Sequence, residues 1–361
     1  MKNFITIIIL TLGITCCNEK SSNGQIQAEP NDNYQCRTDA IIKFKTQNEI
    51  TALFDNSIIQ NLATSNAPDI NGAMDNNKSG YFSVRFQMAI SSLADYAIDS
   101  ENPAAFEATI KAIEYSFQYQ LANGDFQIAV PSNSPNPTSG DIASANAFFL
   151  SSLGVSLLAL QESPFYNNPL NVNYKNRIEA LRPKIAASSN WLISNQTLLQ
   201  KYDSNAPNRL FFDAIAFYSV GKWLNNEIGK NIGLNFTQLA NSKRSSKGYF
   251  LEGDGWDSSY QGVSLINGFK LLSILDANEN LRQPLWDCLS CGTNWQVSRI
   301  LSTGEISTKG NKRVYPGGEQ FLGVEKKMAW KSTVIALLTM KYLSGKNEYE
   351  TYATKVRTYY E

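Results

Sequence analysis

Apolar residues recur at intervals of three and four along the chain from Ile41 onward, which is the spacing of one buried helix face. No stretch shows the sustained alternation of a strand. The pattern predicts about eleven helices and an all-α fold class. The predicted helices are Thr51 to Ala63, Tyr81 to Ile98, Pro103 to Leu121, Asp141 to Leu160, Tyr174 to Gln200 (kinked or divided at Pro183), Arg209 to Glu227, Phe236 to Ser242, Ser258 to Leu275, Leu281 to Leu301, Glu325 to Tyr342, and a short helix from Asn347.

The connections between these helices are of two kinds. Asp99 to Asn102 and Asp276 to Asn280 are short and polar. Residues 123–140, 243–256 and 302–323 form long connections rich in Gly, Pro, Asn and aromatic residues. Long loops in a compact domain are usually functional, so these three are where a site is expected.

Two of the long connections begin alike, with Gly124-Asp125-Phe126 and Gly304-Glu305-Ile306 each following a helix, and Asp254-Gly255-Trp256 is a looser echo. This recurrence indicates repeated helical hairpins. Hairpins that close in a ring form an α/α toroid, an incomplete barrel whose long loops meet on one rim around a cleft. We predict such a toroid as a single domain over residues 39–361. An open α-solenoid has the same local pattern, but it needs a regular repeat length that is not found here.

Composition limits the chemistry. The 361 residues carry 32 Lys plus Arg and 32 Asp plus Glu, so no net charge attracts the chain to nucleic acid, which is not an expected partner. The chain contains no histidine, which excludes histidine triads, histidine metal ligands and an imidazole base. Proton transfer must fall to Tyr, Lys, Asp, Glu or water. Phosphate-binding and dinucleotide motifs are also missing, and we expect no cofactor and no metal.

The N-terminus has the features of an export signal. Lys2 is followed by an apolar run from Phe4 to Gly13 and then by Cys16 and Cys17. This arrangement resembles the lipobox of bacterial lipoproteins, in which a cysteine is lipidated. We predict a signal peptide over residues 1–17 with Cys17 as the lipidated residue and Cys16 as the alternative. Residues 18–38 are predicted to be a flexible tether, and the protein is expected to be exported and lipid-anchored in the outer membrane.

Three further cysteines are Cys36, Cys288 and Cys291. Exported proteins meet an oxidising compartment, which favours a structural disulfide involving Cys288 and Cys291. These two either pair with each other, or one of them pairs with Cys36.

The segment from Gly248 to Gly262 is the strongest candidate for an active site. It places glycines, acids and aromatic rings between two helices, and Asp257 or Ser258 can cap the second helix. The aromatic faces suit a sugar or another amphipathic ligand. The alternative is a tight turn between helices whose rings fill the core.

The run Asp254-Gly255-Trp256-Asp257-Ser258-Ser259-Tyr260 resembles a segment of toroidal polysaccharide lyases, the alginate lyase and heparinase II/III-like group. The resemblance is confined to this segment. It implies that Tyr260 transfers protons in the β-elimination of a polymer containing uronic acid. The group commonly pairs this tyrosine with a histidine, which is absent here, and the chain is too short for the large β-sandwich domain of many members.

β-Elimination requires a neutralised carboxylate and a base within reach. Tyr260 can serve if a nearby cation lowers its pKa from about 10. We therefore predict Tyr260, Arg313 and Lys312 as catalytic residues, the two cations neutralising the carboxylate. The predicted substrate-binding residues are Asp254, Trp256, Asp257, Gln261, Tyr315 and Arg85, and the expected partner is an anionic polysaccharide.

Two other functions stay open. A glycoside hydrolase needs two carboxyl groups, and the candidates are Glu252, Asp254 and Asp257 in one loop with Asp125, Glu305 and Glu319 in others. A non-catalytic glycan-binding lipoprotein needs only stacking surfaces. The candidate rings are Trp256, Tyr260, Trp295, Tyr315 and Trp330, although the helical spacing of Trp330 and Trp191 favours packing in the core.

Overall fold

The computed structural model describes residues 34–130, 136–321 and 323–361. The predicted signal peptide, with Cys16 and Cys17, lies outside these residues. The described part is all-α, as predicted, and its strands are two short antiparallel segments, β1 (Gln320–Phe321) and β2 (Val324–Glu325). Its α-helices are α1 (Gln47–Thr51), α2 (Asn56–Ser65), α3 (Ile90–Ser100), α4 (Pro103–Gln118), α5 (Ser139–Glu162), α6 (Val172–Ala180), α7 (Arg182–Ser194), α8 (Gln196–Asp203), α9 (Pro207–Leu224), α10 (Glu227–Ser242), α11 (Ser258–Ile274), α12 (Arg282–Ser298), α13 (Trp330–Ser344) and α14 (Glu348–Tyr360).

The helices form the predicted α/α toroid. Helices α3, α5, α9, α11 and α13 pack side by side in that order as an inner layer, while α4, α7, α10, α12 and α14 form an outer layer. Helix α2 lies between α13 and α3 and fills the remaining gap. The apolar sequence of α5 explains its inner position: the helix is long and hydrophobic enough to cross a membrane, with a mean hydropathy of 1.6, yet 94% of that stretch is buried inside the protein.

Turns of one geometry lead from outer to inner helices. After α4, the Gly124 N–H donates to the Leu121 carbonyl at 3.0 Å, and after α12 the Gly304 N–H donates to the Leu301 carbonyl at 2.9 Å. Both glycines have positive φ, and a Cβ there would lie 2.3 Å and 2.1 Å from a carbonyl oxygen of the next outer helix. Only glycine fits these positions. The repeat predicted from the two sequence runs is therefore confirmed.

The same turn occurs twice more, at Gly248 after α10 and at Gly72 after α2. Gly248 packs against Cys291 of α12, and Gly72 packs against Lys111 of α4. The predicted third copy at Gly255 is wrong, because the shared feature is the close approach of backbone to the next outer helix rather than a Gly beside an acid. All four turns lie at one end of the ring, where the inner helices begin. We call this end the mouth.

The opposite end of the ring is closed by the short helix α1, which we call the floor. Its Asn48 side chain donates to the Ala159 carbonyl of α5 at 2.9 Å. Gln47 donates to Asp95 of α3 and accepts a hydrogen bond from Ser273 of α11 at 3.4 Å. These three inner helices are thus tied together below the lumen of the ring.

Two predicted helices are divided in the structure. The stretch Tyr81 to Ile98 begins as a separate 3₁₀ turn, Val84–Gln87, and α3 starts only at Ile90. The stretch Tyr174 to Gln200 forms α6, α7 and α8, and Pro183 lies in the first turn of α7, where its missing N–H costs no helical hydrogen bond.

Cys36 and Cys291 form a disulfide with a Cα–Cα distance of 5.3 Å, and Cys288 is a buried free thiol. Pairing of Cys288 with Cys291 is therefore wrong. The N-terminal segment runs beside α12 close enough for Cys36 to reach Cys291, whereas Cys288 packs into the hydrophobic core. Arg37 also donates to Asn294 of α12 at 2.9 Å, so the end of the predicted tether is attached to the domain before residue 39.

Candidate active site

Two clusters of charged and phenolic side chains lie at the mouth, each on the loops and first turns that precede inner helices. The Tyr260 cluster consists of Glu252, Tyr260, Arg313, Glu319 and Lys326. The Asp213 cluster consists of Asp141, Tyr202, Asp203, Arg209 and Asp213.

Arg313 is the centre of the Tyr260 cluster. Its Nε and NH2 atoms donate to the two carboxylate oxygens of Glu319 at 2.9 and 2.8 Å, and NH1 donates to Glu252 at 3.0 Å. The guanidinium carbon lies 4.0 Å from the centroid of the Tyr260 ring, so the cation also stacks on the phenol. The predicted proximity of Tyr260 and Arg313 is therefore present.

The Tyr260 hydroxyl is held in a closed network. It donates to Glu319 at 2.9 Å and accepts from Lys326 at 2.6 Å, while Lys326 also donates to Glu319 at 2.8 Å. Burial raises the pKa of Tyr260, Arg313 opposes this effect, and the Glu319 carboxylate raises the pKa further. The phenol is thus protonated at neutral pH, whereas a role as base required a lowered pKa. Burial outweighs the cations, which the sequence did not reveal.

The two carboxyl groups on Arg313 have opposite pKa shifts. Burial raises the pKa of Glu252 to about 7, although Arg313 opposes it. Burial also acts on Glu319, but hydrogen bonds from Arg313 and Lys326 outweigh it and bring the pKa to about 2. One guanidinium therefore bridges a carboxyl that titrates near neutrality and a carboxylate that stays ionised.

Asp257 has a structural role rather than the predicted substrate-binding role. Its carboxylate caps α11 by accepting from the backbone N–H groups of Ser259 and Tyr260, both at 3.0 Å. It also accepts from the backbone N–H groups of Arg313 at 2.9 Å and Val314 at 2.7 Å. Because these four backbone N–H groups occupy both of its carboxylate oxygens, Asp257 has no oxygen left to offer a ligand. It holds the loop of Arg313 against the start of α11.

Gln261 and Trp256 also stabilise the loop instead of facing the mouth. Gln261 is buried, accepts from the Phe250 N–H at 2.8 Å and donates to the Gly292 carbonyl at 3.1 Å. Trp256 packs against Tyr249 and Trp295, with ring centroids 5.4 and 6.4 Å away, on the side of outer helix α12. The amide of Gln261 is thus already used inside the protein, which contradicts its predicted part in binding substrate, whereas the predicted part of the partly exposed Trp256 stays a prediction.

Lys312, Asp254 and Tyr315 lie on the exposed rim. Lys312 pairs with Asp254 at 3.1 Å, and their side chains are 44% and 86% exposed. Tyr315 is 43% exposed on the same loop as Lys312. Lys312 has no contact with Tyr260 among the described residues, and its predicted place beside the phenol is taken by Lys326. Consecutive residues of an extended loop point in different directions, so Arg313 faces inward and Lys312 outward.

Arg209 is the centre of the Asp213 cluster. Its NH1 atom donates to Asp203 at 3.0 Å, and its guanidinium carbon lies 5.4 Å from the centroid of the Tyr202 ring. The Tyr202 hydroxyl donates to Asp141. Asp203 at the end of α8 is fully buried, and Asp213 in the second turn of α9 is 1% exposed. A chain of polar contacts thus runs from Asp141 at the rim through Tyr202 and Arg209 to the buried Asp203.

Asp213 and Asp203 titrate as a pair. Burial raises the pKa of Asp213 well above its ordinary value, Asp203 raises it further and Arg209 opposes both effects. Burial also raises the pKa of Asp203, against the pull of Arg209. Because Arg209 bonds directly to Asp203, we place the charge on Asp203 and the proton on Asp213.

Each carboxyl of this pair has one unsatisfied oxygen. Oδ2 of Asp213 and Oδ2 of Asp203 are buried and have no hydrogen-bond partner among the described residues, and the same is true of Oδ1 of Asn208 in the first turn of α9. Buried polar atoms are nearly always paired in folded proteins, so an orphan in a cleft often marks the place of a water or a ligand group.

Asp141 supplies an ionised carboxylate at the rim. Burial alone would raise the pKa of Asp141, but hydrogen bonds from Thr138 and Tyr202 outweigh it and lower the pKa. The residue closes a capping box with Thr138 at the start of α5, which explains why the carboxylate is fixed at the mouth.

Arg85 lies between the two clusters, at the 3₁₀ turn before α3. Its guanidinium carbon is 4.6 Å from the centroid of the Phe148 ring, and it interacts electrostatically with Arg209, Tyr260 and Asp203. Burial lowers the pKa of Arg85, and Arg209 lowers it further. Within the described residues its N–H groups make no hydrogen bond. Arg85 is therefore a predicted binding residue whose guanidinium donors are available to a ligand.

The sequence interpretation missed Asp203, Asp213 and Lys326. A signal for Asp213 exists, since Arg209 and Asp213 stand four residues apart in an otherwise apolar helix, a spacing that puts both on one buried face. The position of Lys326 gave no such signal. No group of three Asp, Glu or Cys side chains in the described parts of the chain is placed to hold a metal ion.

No known protein family and no curated protein matches the sequence. Solved structures do match the fold. A glycosyl hydrolase family 88 protein from Bacteroides vulgatus has a TM-score of 0.50 and 11% identity, over 87% of this chain and 85% of that one. An unsaturated glucuronyl hydrolase from Bacillus sp. GL1 has a TM-score of 0.46 and 12% identity, over 73% and 74%. A D-mannose isomerase has a TM-score of 0.46 and 12% identity, over 87% and 85%. At these identities the likeness shows the fold alone.

Proposed function

We propose that the protein hydrolyses glycosidic bonds in a glycan that contains uronic acid, with Asp213 as the general acid. The observation that carries the proposal is the buried carboxyl of Asp213, whose Oδ2 atom has no hydrogen-bond partner among the described residues and whose pKa is raised by burial and by the nearby Asp203. Glycoside hydrolysis needs one protonated and one ionised carboxyl, and environments that separate two carboxyl pKa values identify the acid.

Asp141 is the proposed base. It is ionised and approaches the mouth from α5, the inner neighbour of α9, which carries Asp213. In this role Asp141 removes a proton from water as the water attacks the sugar carbon, while Asp213 gives its proton to the departing oxygen. The proton balance closes when Asp141 releases the proton it took from water to solvent and Asp213 recovers a proton from solvent.

Arg85 is the proposed receptor for the sugar carboxylate. Its guanidinium offers N–H donors in a fork that matches a carboxylate, and Arg209 lies close enough to strengthen the positive field. The hydrogen bonds of Arg313 are already taken by Glu319 and Glu252, so Arg313 positions its neighbours instead.

The fold is compatible with this chemistry, since the similar structure from Bacteroides vulgatus is named a glycosyl hydrolase. β-Elimination, which the resemblance around Tyr260 implies, is the second candidate. The observation in its favour is the contact of 2.6 Å between Lys326 and the Tyr260 hydroxyl, because a cation there would stabilise a phenolate. The raised pKa of Tyr260 weighs against it.

Product chemistry distinguishes the candidates. Purified protein is incubated with oligosaccharides of galacturonate, glucuronate and mannuronate, and with neutral glucans as controls. We expect new reducing ends from at least one acidic series and no ultraviolet band of an unsaturated uronate. That band in the products would establish elimination. Saturable binding without any product would establish a glycan-binding protein.

We also propose that the protein is exported and anchored by a lipid on Cys17, as the N-terminal pattern predicts. The Cys36 to Cys291 disulfide supports passage through an oxidising compartment. Detergent phase separation tests the anchor. The full chain should enter the detergent phase, and Cys17→Ser should move it to the aqueous phase, with Cys16→Ser as the matched control. Equal partitioning of all three proteins would contradict the proposal.

A further inference from the structure

The lumen of the ring has a partly exposed stripe on each of two inner helices. On α11 the partly exposed residues are Tyr260, Val263, Ile266 and Lys270, which is one helix face running from the mouth toward the floor. The other sides of α11 pack against α9, α12 and α13, so this face lines the lumen. The stripe from Tyr260 to Lys270 spans about 15 Å at the rise of an α-helix.

The second stripe begins at Arg85 and continues on α3 with Ser92 and Asp95, which are also partly exposed. Helices α3 and α11 are not neighbours in the inner layer. Lys270 nevertheless donates to the Ser91 hydroxyl of α3 at 3.1 Å. This hydrogen bond must therefore cross the lumen, just above the floor formed by α1.

Lys270 has no direct ion pair among the described residues, where its one hydrogen bond goes to a neutral hydroxyl. Asp95 interacts with Lys270 electrostatically, but the hydrogen bonds of Asp95 come from Gln47. Burial lowers the pKa of Lys270, against the effect of Asp95, and burial raises the pKa of Asp95 to about 6. A buried cation without a direct ion pair costs stability, and a bound anion would offset that cost.

We propose that the lumen is a blind binding pocket for the end of an acidic oligosaccharide and that Lys270 binds an anionic group on its terminal sugar at the floor. This inference rests on the proposed function and adds to it the mode of action, which is attack near a chain end. The floor closed by α1 leaves a polymer no way to pass through the ring. Arg85 and Lys270 then hold carboxylates at two levels of one chain.

Length series of galacturonate, glucuronate and mannuronate oligomers test the inference by isothermal titration calorimetry. All proteins carry Asp213→Asn, so that the ligand is not consumed. We expect affinity to rise with oligomer length until the floor is reached. Lys270→Met should then lower the affinity for the long oligomers about tenfold or more and the affinity for the dimer less than twofold, because only the long oligomers reach the floor. Lys270→Arg should recover part of the affinity.

Two controls separate binding from folding. Lys175→Met makes the same change on the exposed surface of α6 and should leave every affinity unchanged. The double variant Asp95→Asn with Lys270→Met removes both charges. It replaces Lys270→Met in the binding measurements if that single variant is unstable. A uniform loss at all lengths, or no loss at any, would overturn the floor site while leaving the proposed function intact. No binding of any oligomer by the parent protein would overturn both.

Discussion

The two clusters at the mouth have the same ingredients but differ in how completely they are satisfied. Each combines an arginine, a tyrosine and carboxyl groups near the start of an inner helix. In the Tyr260 cluster, Glu319 and the Tyr260 hydroxyl have all their partners, and one oxygen of Glu252 lacks a hydrogen bond. In the Asp213 cluster, the single cation Arg209 bonds to one aspartate and leaves the other protonated.

The difference shows why a conspicuous loop need not carry the reaction. A closed network of hydrogen bonds fixes side chains in place and resists a change of charge. A buried acid with an open oxygen can give up its proton to a bound group. Under the proposed function, the Tyr260 cluster shapes the mouth and the Asp213 cluster supplies the acid.

The largest expected effect follows from Asp213→Asn. Asparagine matches the neutral acid in shape, so the fold should persist while the proton donor is lost. We expect kcat for an acidic oligosaccharide to fall about 100- to 10,000-fold with little change in melting temperature. Tyr260→Phe is the matched change in the other cluster and should reduce kcat by less than about tenfold. The opposite ranking would assign the chemistry to Tyr260.

Glu319→Gln should destabilise the fold. Arg313 and Lys326 then keep their buried charge without the carboxylate that balances them. Since these side chains are about one quarter exposed, we expect a loss of about 1–3 kcal/mol in the free energy of unfolding, measured by urea denaturation. Lys312→Ala removes the exposed ion pair with Asp254 and should change the free energy of unfolding by less than about 0.5 kcal/mol. Equal losses would show that the Tyr260 cluster is no tighter than the surface.

Glu252 should make stability depend on pH. Its folded-state pKa of about 7 lies above the unfolded value of 4.5, so the folded protein binds this proton more tightly. The corresponding stability is present below about pH 4.5 and is lost as the pH rises to about 7. Glu252→Gln should reduce the change in the free energy of unfolding between about pH 5 and pH 8 by about 1–2 kcal/mol. An unchanged slope would contradict the raised pKa.

Arg85 should have the smallest of these effects, confined to binding. Arg85→Met removes the free donors and should raise KM for an acidic oligosaccharide about tenfold with kcat nearly unchanged. Arg85→Lys keeps the positive charge but loses the forked pair of N–H donors. Its KM should lie between that of the parent protein and that of Arg85→Met. A loss in kcat alone would show that Arg85 acts in the chemical step instead.

Helical periodicity and the alternation of loops predicted the toroid correctly, because both record which faces must be buried. The proximity of Tyr260 and Arg313 was also predictable, since loops on one rim meet. The protonation state of Tyr260 was not, because burial depends on every neighbour and here outweighs Arg313. The choice of Lys326 over Lys312 depends on the local turn of the loop, which composition does not specify.

The Asp213 cluster shows a second limit. Asp203 and Asp213 lie in no recognisable motif, and they become a pair only because α8 ends where α9 begins to line the mouth. The disulfide shows the same limit, since the partner of Cys291 is decided by the path of the N-terminal segment beside α12.

The most direct test of the central claim is infrared spectroscopy of the protonated carboxyl groups at neutral pH, compared between the parent protein and Asp213→Asn. We predict a carbonyl band of a neutral carboxylic acid that disappears in Asp213→Asn and persists in Glu252→Gln, beside a separate band from Glu252, which is about half protonated at pH 7. If the band is unchanged in Asp213→Asn, Asp213 is ionised and is not the proton donor.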